Sequence, residues 1–327
     1  PMKKNIILIA HKYPPFKGVG ANRWGHISRE LADLGVVVHV LTVDRGGVPF
    51  VHENVVVHQV KSDSFYRLIG MKFGSRYLTS CFAFIVERLR SLFWYDDEAQ
   101  YWGRYLLPKI TELVKLYNAN TVIATGHPFQ SNRWAAAAKG ALNDSVRLIQ
   151  DIRDPWSNNP FKQYLFDWQR KKVKDWEVGA LAAADANVFV TAGLKNLLSP
   201  ISSSSYVVEN GHGFECKYRS DHDRRISPII VHAGTLANGR DVIAEPFFKL
   251  CLEEPSVLRG KIVHFYGRVS LWLLRKYKQL FTSNVFVLHQ PVEQAELSGI
   301  YSQSVFALQF NAVEYPYLVS TKIYEHP

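Results

Sequence analysis

Sulfur is scarce in this chain. Its 327 residues hold two methionines and three cysteines, Cys81, Cys216 and Cys251, odd in number and far apart. No pair stands at metal-ligand spacing, so neither a disulfide framework nor a structural zinc is expected, and a reducing cytoplasm is the fitting compartment. Long apolar runs are missing too. The longest apolar-leaning stretch, residues 77–89, contains Glu87 and Arg88 and falls short of the roughly 20 residues a membrane span requires. Lys3 and Lys4 lead directly into a strand-length run, so no secretory leader is expected. A third shortage is one glycine. Gly18 and Gly20 follow the first apolar run, but the dinucleotide-binding fingerprint fails because Arg23 occupies its third glycine position.

What is present suits a two-domain α/β protein. The length is ample for two domains, and 47% hydrophobic residues suffice for two cores. A formal net charge of +10 points to an anionic partner, whether nucleotide phosphate, an anionic membrane surface or nucleic acid. Residues 5–10 read as a strand, 22–34 as a helix stopped by Gly35, and 36–43 as a second strand. In this βαβ opening, Gly18 and Gly20 would let helix-start amides approach a phosphate or a sugar closely. Residues 62–110 mix aromatic and basic side chains, which suits an interfacial helix on anionic headgroups or a helix packed on a sheet. Asp96-Asp97-Glu98 reads as a helix start. Residues 178–186 read as a small-residue helix, 187–191 as a strand and 192–198 as a helix, and the domain boundary is placed between residues 210 and 211. Beyond it, strands are expected at 229–233, 262–266, 285–288 and 305–309.

The strands end in chemically useful residues. The run 121–125 leads into Gly126-His127-Pro128, and the run ending at Ile152 leads into Arg153-Asp154-Pro155-Trp156, where Pro155 forbids a simple continuation. In an open parallel sheet these exits line the crevice where ligands bind. Asp154 can accept hydrogen bonds from a polyhydroxylated substrate, Arg153 can pair with an anion, and Trp156 can offer a flat face to a sugar ring or lipid. His127 can donate to a developing negative charge. In the second half, Gly234-Thr235, Arg240 and Gly267-Arg268 follow successive strands, a combination able to hold a nucleotide diphosphate without a bound metal. Plain turns, a surface Arg153–Asp154 pair and a helix-capping His127 also account for these residues.

Taken in order, the segments resemble a known family. They are Tyr13-Pro14-Pro15 with Gly18 and Gly20, Leu31-Ala32-Asp33-Leu34-Gly35 with Val38-His39-Val40-Leu41-Thr42, residues 97–102, Thr125-Gly126-His127-Pro128, the run from Asp151 to Trp156, Val208-Glu209-Asn210-Gly211, Ala233-Gly234-Thr235-Leu236, Tyr266-Gly267 and Thr321-Lys322-Ile323-Tyr324-Glu325. The chain resembles retaining GT-B glycosyltransferases of the group 1, family 4-like kind. The resemblance implies an α/β GT-B fold: an N-terminal Rossmann-like acceptor-binding domain, 1–210, facing a C-terminal nucleotide-sugar-binding domain, 211–327, across a cleft. The chain stops two residues after Glu325, inside a motif the resemblance implies is followed by further elements, so the second domain is expected to be incomplete.

By resemblance, His127 and Asp154 are the catalytic candidates. Gly18, Gly20, Gly234, Thr235, Arg240, Gly267, Lys322 and Glu325 are the donor-binding ones, with Glu325 on the ribose, and Arg153 and Trp156 would contact the acceptor. The glutamate that should pair with Glu325 is replaced by Tyr317, with Glu314 further upstream. No metal and no cofactor are implied beyond the nucleotide sugar itself. The partners implied are that donor, a glycan or lipid-linked acceptor and an anionic membrane surface touched peripherally from the cytoplasm, with no nucleic acid. Two other readings fit the sequence: a sugar-nucleotide epimerase of the same fold, and a non-enzymatic basic protein that binds membrane or nucleic acid.

Overall fold

Alternation along the first strand sets the architecture. In β1 (Asn5–Ile9), Ile6 and Leu8 point to one face and Ile7 and Ile9 to the other, and all four are buried. A strand buried on both faces belongs in the middle of a parallel sheet covered by helices on both sides. The computed structural model describes residues 4–16, 18–44, 52–63, 96–142, 145–159, 162, 164–201, 204–211, 228–237, 239–311, 317 and 319. The chain divides into two units, Pro1–Glu209 and Asn210–Pro327.

In the first unit, β1 pairs in parallel with β2 (Val37–Val43) and with β4 (Thr121–Thr125). With β3 (Val55–Val60), β5 (Arg147–Ile152), β6 (Ala186–Phe189) and β7 (Ser205–Val207), they form a seven-stranded sheet in the order β3-β2-β1-β4-β5-β6-β7. On one face Ile6, Leu8, Val38 and Val40 pack with Trp24 and Ala32 of α1 (Val19–Asp33). On the other, Ile7, Ile9 and Leu41 pack with Trp102 and with Leu106, Ile110 and Leu113 of α2 (Gly103–Tyr117). Each of these fully buried aliphatic side chains contributes about 1.5–3 kcal/mol. α3 (Gln130–Ala141) follows β4, α4 (Asp167–Ala182) follows β5 and α5 (Ala192–Leu198) follows β6.

The second unit repeats the plan with a four-stranded parallel sheet in the order β10-β9-β8-β11 among the described residues. Its strands are β8 (Ile229–Ala233), β9 (Ile262–Tyr266), β10 (Phe286–His289) and β11 (Phe306–Ala307). Its helices are α6 (Arg240–Glu253), α7 (Leu271–Lys276), α8 (Lys278–Thr282) and α9 (Gln294–Ser302). Phe248, Phe265 and Phe286 stack edge-on at the centre of its core. No helix among the described residues is long and apolar enough to cross a membrane.

Three expectations are corrected. Asp96-Asp97-Glu98 does not open a helix: α2 begins at Gly103, and the triplet lies in a buried turn whose carboxylates have partners elsewhere in the unit. The helix expected at 178–186 begins earlier, at Asp167, and gives up its end because Ala186 pairs with Ile149 in the sheet. β3 has no counterpart in the sequence reading, since only its two ends are buried. The aromatic-basic stretch falls largely on residues 64–95, outside the described residues. Its described end belongs to α2, whose Leu106 and Ile110 pack on the sheet.

Candidate active site at the strand exits

The order β3-β2-β1-β4 places the first unit's switch point between β1 and β4, where successive connections leave to opposite faces and a crevice opens at the carboxyl ends of the strands. Three segments end there: the loop from β1 to α1, Gly126-His127-Pro128 after β4, and Arg153-Asp154 after β5.

Beneath them lies Asp151, 1% exposed. It accepts hydrogen bonds from Trp24 Nε1 at 2.8 Å, Thr125 Oγ1 at 2.8 Å and Arg23 Nη2 at 3.2 Å. Arg23 also donates to the carbonyls of Val208 and Glu209 at 2.9 and 2.8 Å. The arginine that breaks the glycine fingerprint is therefore a buried clamp joining α1, β5 and the end of the first unit. Sequence reasoning missed this role, and the only signal for it was that a large charged residue stood where a glycine belonged.

Above the clamp sits Arg153. Its Nε donates to the Gly126 carbonyl at 2.6 Å and its Nη2 to the His127 carbonyl at 3.5 Å. Burial pulls its pKa below the ordinary guanidinium range, Asp151 and Asp154 oppose that, and Arg23 adds to it. The guanidinium lies against Gly20, where a Cβ would overlap it. The room left by the missing Cβ of Gly20 is filled by Arg153. The start of α1 carries no side-chain cap and no acidic residue in its first turn. A helix N-terminus and a guanidinium placed together favour an anion. His127 is exposed, edge-on to the Phe129 ring at 5.4 Å, and Asp154 is half-buried next to Arg153.

Trp156 is corrected as well. It is 2% exposed, stacked on Phe129 at 5.6 Å, and its Nε1 donates to Asp96 Oδ2 at 2.9 Å, so it presents no face to a sugar or lipid. It belongs to a buried polar network around the 96–98 turn. Asp96 also accepts from Gln130 Nε2 at 3.1 Å and pairs with Lys162, while Glu98 pairs with Lys12. Asp97 accepts from the amides of Ala99 and Gln130, both at 3.0 Å.

Burial first, and then the Asp96 carboxylate, push the Asp97 pKa up to about 7 against the pull of Lys162 and the two amides. The folded chain therefore retains a proton that the unfolded chain, with an ordinary value of 3.8, releases. The stability contributed by that proton is full below about pH 4 and is lost as pH rises through 7. Asp97→Asn, which does not titrate, is expected to gain on the parent by on the order of 4 kcal/mol between pH 4 and pH 8, on top of a pH-independent cost where its Nδ2 faces the Ala99 or Gln130 amide. Thermal unfolding across that range tests this, and a difference that does not vary with pH rules it out.

In the second unit the Gly234, Gly267, Arg240 and Gly239 amides have partners within the unit. Gly234 N donates to Tyr266 O at 2.7 Å, Gly267 N to His289 O at 3.3 Å and Arg240 N to Ala237 O at 3.3 Å. Gly239 N donates to Asp241 Oδ1 at 3.1 Å. Gly267, at φ +140°, makes its close approach to the Gly234 carbonyl, which a Cβ would overlap. Thr235 is half-buried, and Arg240 and Arg268 are exposed at the exits of β8 and β9. Lys322 and Glu325 lie outside the described residues. Among the described residues, no three His, Cys, Asp or Glu side chains are grouped to hold a metal ion.

No family model matches the chain, and no curated protein is detectably similar in sequence. Solved structures are similar. Sucrose-phosphate synthase from Thermosynechococcus elongatus matches with a TM-score of 0.60 at 10% identity, over 97% of this chain and 79% of that one. The α,α-trehalose 6-phosphate synthase of Burkholderia multivorans matches with a TM-score of 0.55 at 10% identity, over 98% and 82% of the two chains. A mutant of S. aureus TarM, solved with Fondaparinux, α-GlcNAc-glycerol and UDP, matches with a TM-score of 0.52 at 10% identity, over 93% and 80%. At such identity the likeness is one of fold, and that fold is GT-B, with two Rossmann-like α/β units in one chain.

Proposed function

We propose that the protein is a glycosyltransferase that moves a sugar from a nucleotide-sugar donor to a glycan or lipid-linked acceptor with retention, in the synthesis of bacterial surface polysaccharide. The observation that carries this reading is the convergence of Arg153, His127, Asp154 and the uncapped start of α1 at the β1–β4 switch point of a GT-B chain. The UDP in the complex of one similar structure supports a nucleotide donor. Charge develops on the leaving diphosphate during transfer, and cationic groups fixed near it lower the barrier. The Gly234 and Gly267 amides already have backbone partners, and the exposed Arg240 and Arg268 side chains of the second unit are the cations that fill that role. In retaining transfer the acceptor attacks the face the diphosphate leaves, so the leaving phosphate can take the acceptor proton. His127 then orients the transferred sugar, and Asp154 holds an acceptor hydroxyl.

The test is release of nucleoside diphosphate from a panel of uridine, guanosine and adenosine diphosphate sugars, with and without glycan and glycolipid acceptors. Acceptor-dependent release is expected. Release that ignores the acceptor, with an epimer or free sugar as product, overturns the transferase reading. His127→Ala is expected to lower turnover by about 10²-fold with donor affinity unchanged. A variant of normal rate removes His127 from the site.

A further inference from the structure

The connection that carries Asp154 ends in an unusual surface. Leu165, Phe166 and Trp168, at the start of α4, are 43%, 46% and 51% exposed, and the Phe166 and Trp168 rings stack at 6.3 Å. The turn displaying them is pinned from inside, because Gln169, itself buried, accepts from the amides of Leu165 and Phe166 at 3.1 and 3.4 Å. Directly after it come Arg170, Lys171, Lys172 and Lys174, all exposed, against Asp167 and Asp175 as the only acids of that stretch. Trp168, Lys171 and Lys172 share one helix face by their spacing. An apolar cluster of this kind, ringed by cations, has no reason to face bulk water.

We propose that this surface docks on an anionic lipid bilayer. Leu165 and Phe166 would enter the acyl boundary, Trp168 would sit at headgroup level, and the lysines would meet the lipid phosphates, in keeping with the chain's net charge of +10. A nucleic acid would use the cations and could stack on Trp168, but it offers nothing to Leu165. The surface is rigidly joined to the candidate site, because Glu177 of α4 accepts from the amides of Trp156 at 2.7 Å and Ser157 at 3.2 Å, just after Asp154. If the transferase reading holds, on which this step rests, the acceptor is the lipid-linked one, delivered to Asp154 from the bilayer on which α4 sits.

The test is sedimentation of the full chain with vesicles of phosphatidylcholine alone or mixed equally with phosphatidylglycerol, without nucleotide sugar. Binding to the mixed vesicles is expected. Each neutralised lysine is expected to weaken it by about five-fold, so that Lys171→Gln with Lys172→Gln loses about twenty-five-fold. Phe166→Ser with Trp168→Ser is expected to abolish the part of the binding that survives high salt. Circular dichroism confirms that both variants are folded. The proposal is overturned if the parent does not sediment with the mixed vesicles or if the variants bind like the parent. It is also overturned if duplex RNA competes the protein off the vesicles whether or not Trp168 is present. Vesicle binding is read without donor and nucleotide release can be read on a soluble acceptor, so either reading can fail alone.

Discussion

Replacement of Asp151 by alanine is expected to cost about 3–5 kcal/mol of folding stability, the range seen when one partner of a buried ion pair is removed. The carboxylate is the shared acceptor for Arg23, Trp24 and Thr125, and its loss leaves the buried Arg23 guanidinium facing the Val208 and Glu209 carbonyls without a carboxylate to balance its charge. Most of the cost is the stranded positive charge rather than the lost attraction, and this makes a second prediction possible. Adding Arg23→Met to Asp151→Ala should recover at least about 1 kcal/mol, because the pair is then replaced by apolar volume instead of being broken. Asp151→Asn, which keeps the shape but not the charge, should fall between the parent and the alanine variant. Urea unfolding followed by tryptophan fluorescence reads all four proteins. A single Asp151→Ala variant within 1 kcal/mol of the parent, or a double variant worse than the single one, is incompatible with this account.

How far the sequence revealed this arrangement depended on how local each cause was. β8 and β9 were legible to the residue, because an apolar run meets a glycine immediately after each. The helix at Ala192–Leu198 was equally legible, since Thr191 caps it by accepting from the Leu194 amide at 3.0 Å. Arg153, His127 and Asp154 could be placed at strand exits, and they share the β1–β4 switch point. The failures share a different cause. The first half of α4 is so charged that it lacks an apolar stripe, so its true start was hidden. Trp156 looked like a sugar platform because nothing nearby in sequence shows Asp96, sixty residues away, accepting a hydrogen bond from its indole N–H. The 96–98 turn looked like a helix cap because Lys12 and Lys162, the cations that allow those carboxylates to be buried, lie far along the chain. A buried charge is a tertiary fact, and residue type alone reports it as a surface feature.

Gly20→Ala is the second substitution with a large expected effect, and its sign is opposite to the usual one. Alanine in place of glycine within a helix ordinarily stabilises by up to about 1 kcal/mol. Here the new methyl would overlap the Arg153 guanidinium, which cannot swing aside without breaking its hydrogen bond to the Gly126 carbonyl. The variant is therefore expected to lose about 1 kcal/mol, the net worth of that hydrogen bond, because the guanidinium ends a flexible side chain and can move off the methyl. Under the proposed function it should also lose about 10²-fold in turnover, since small displacements of a positioned group are felt at that scale. Arg153→Ala supplies the control. In that background the obstruction is gone, and Gly20→Ala should become neutral or stabilising, a reversal that no independent pair of sites would show. If the two substitutions prove additive in stability, Arg153 does not rest on Gly20, and its guanidinium is held at the start of α1 by other contacts.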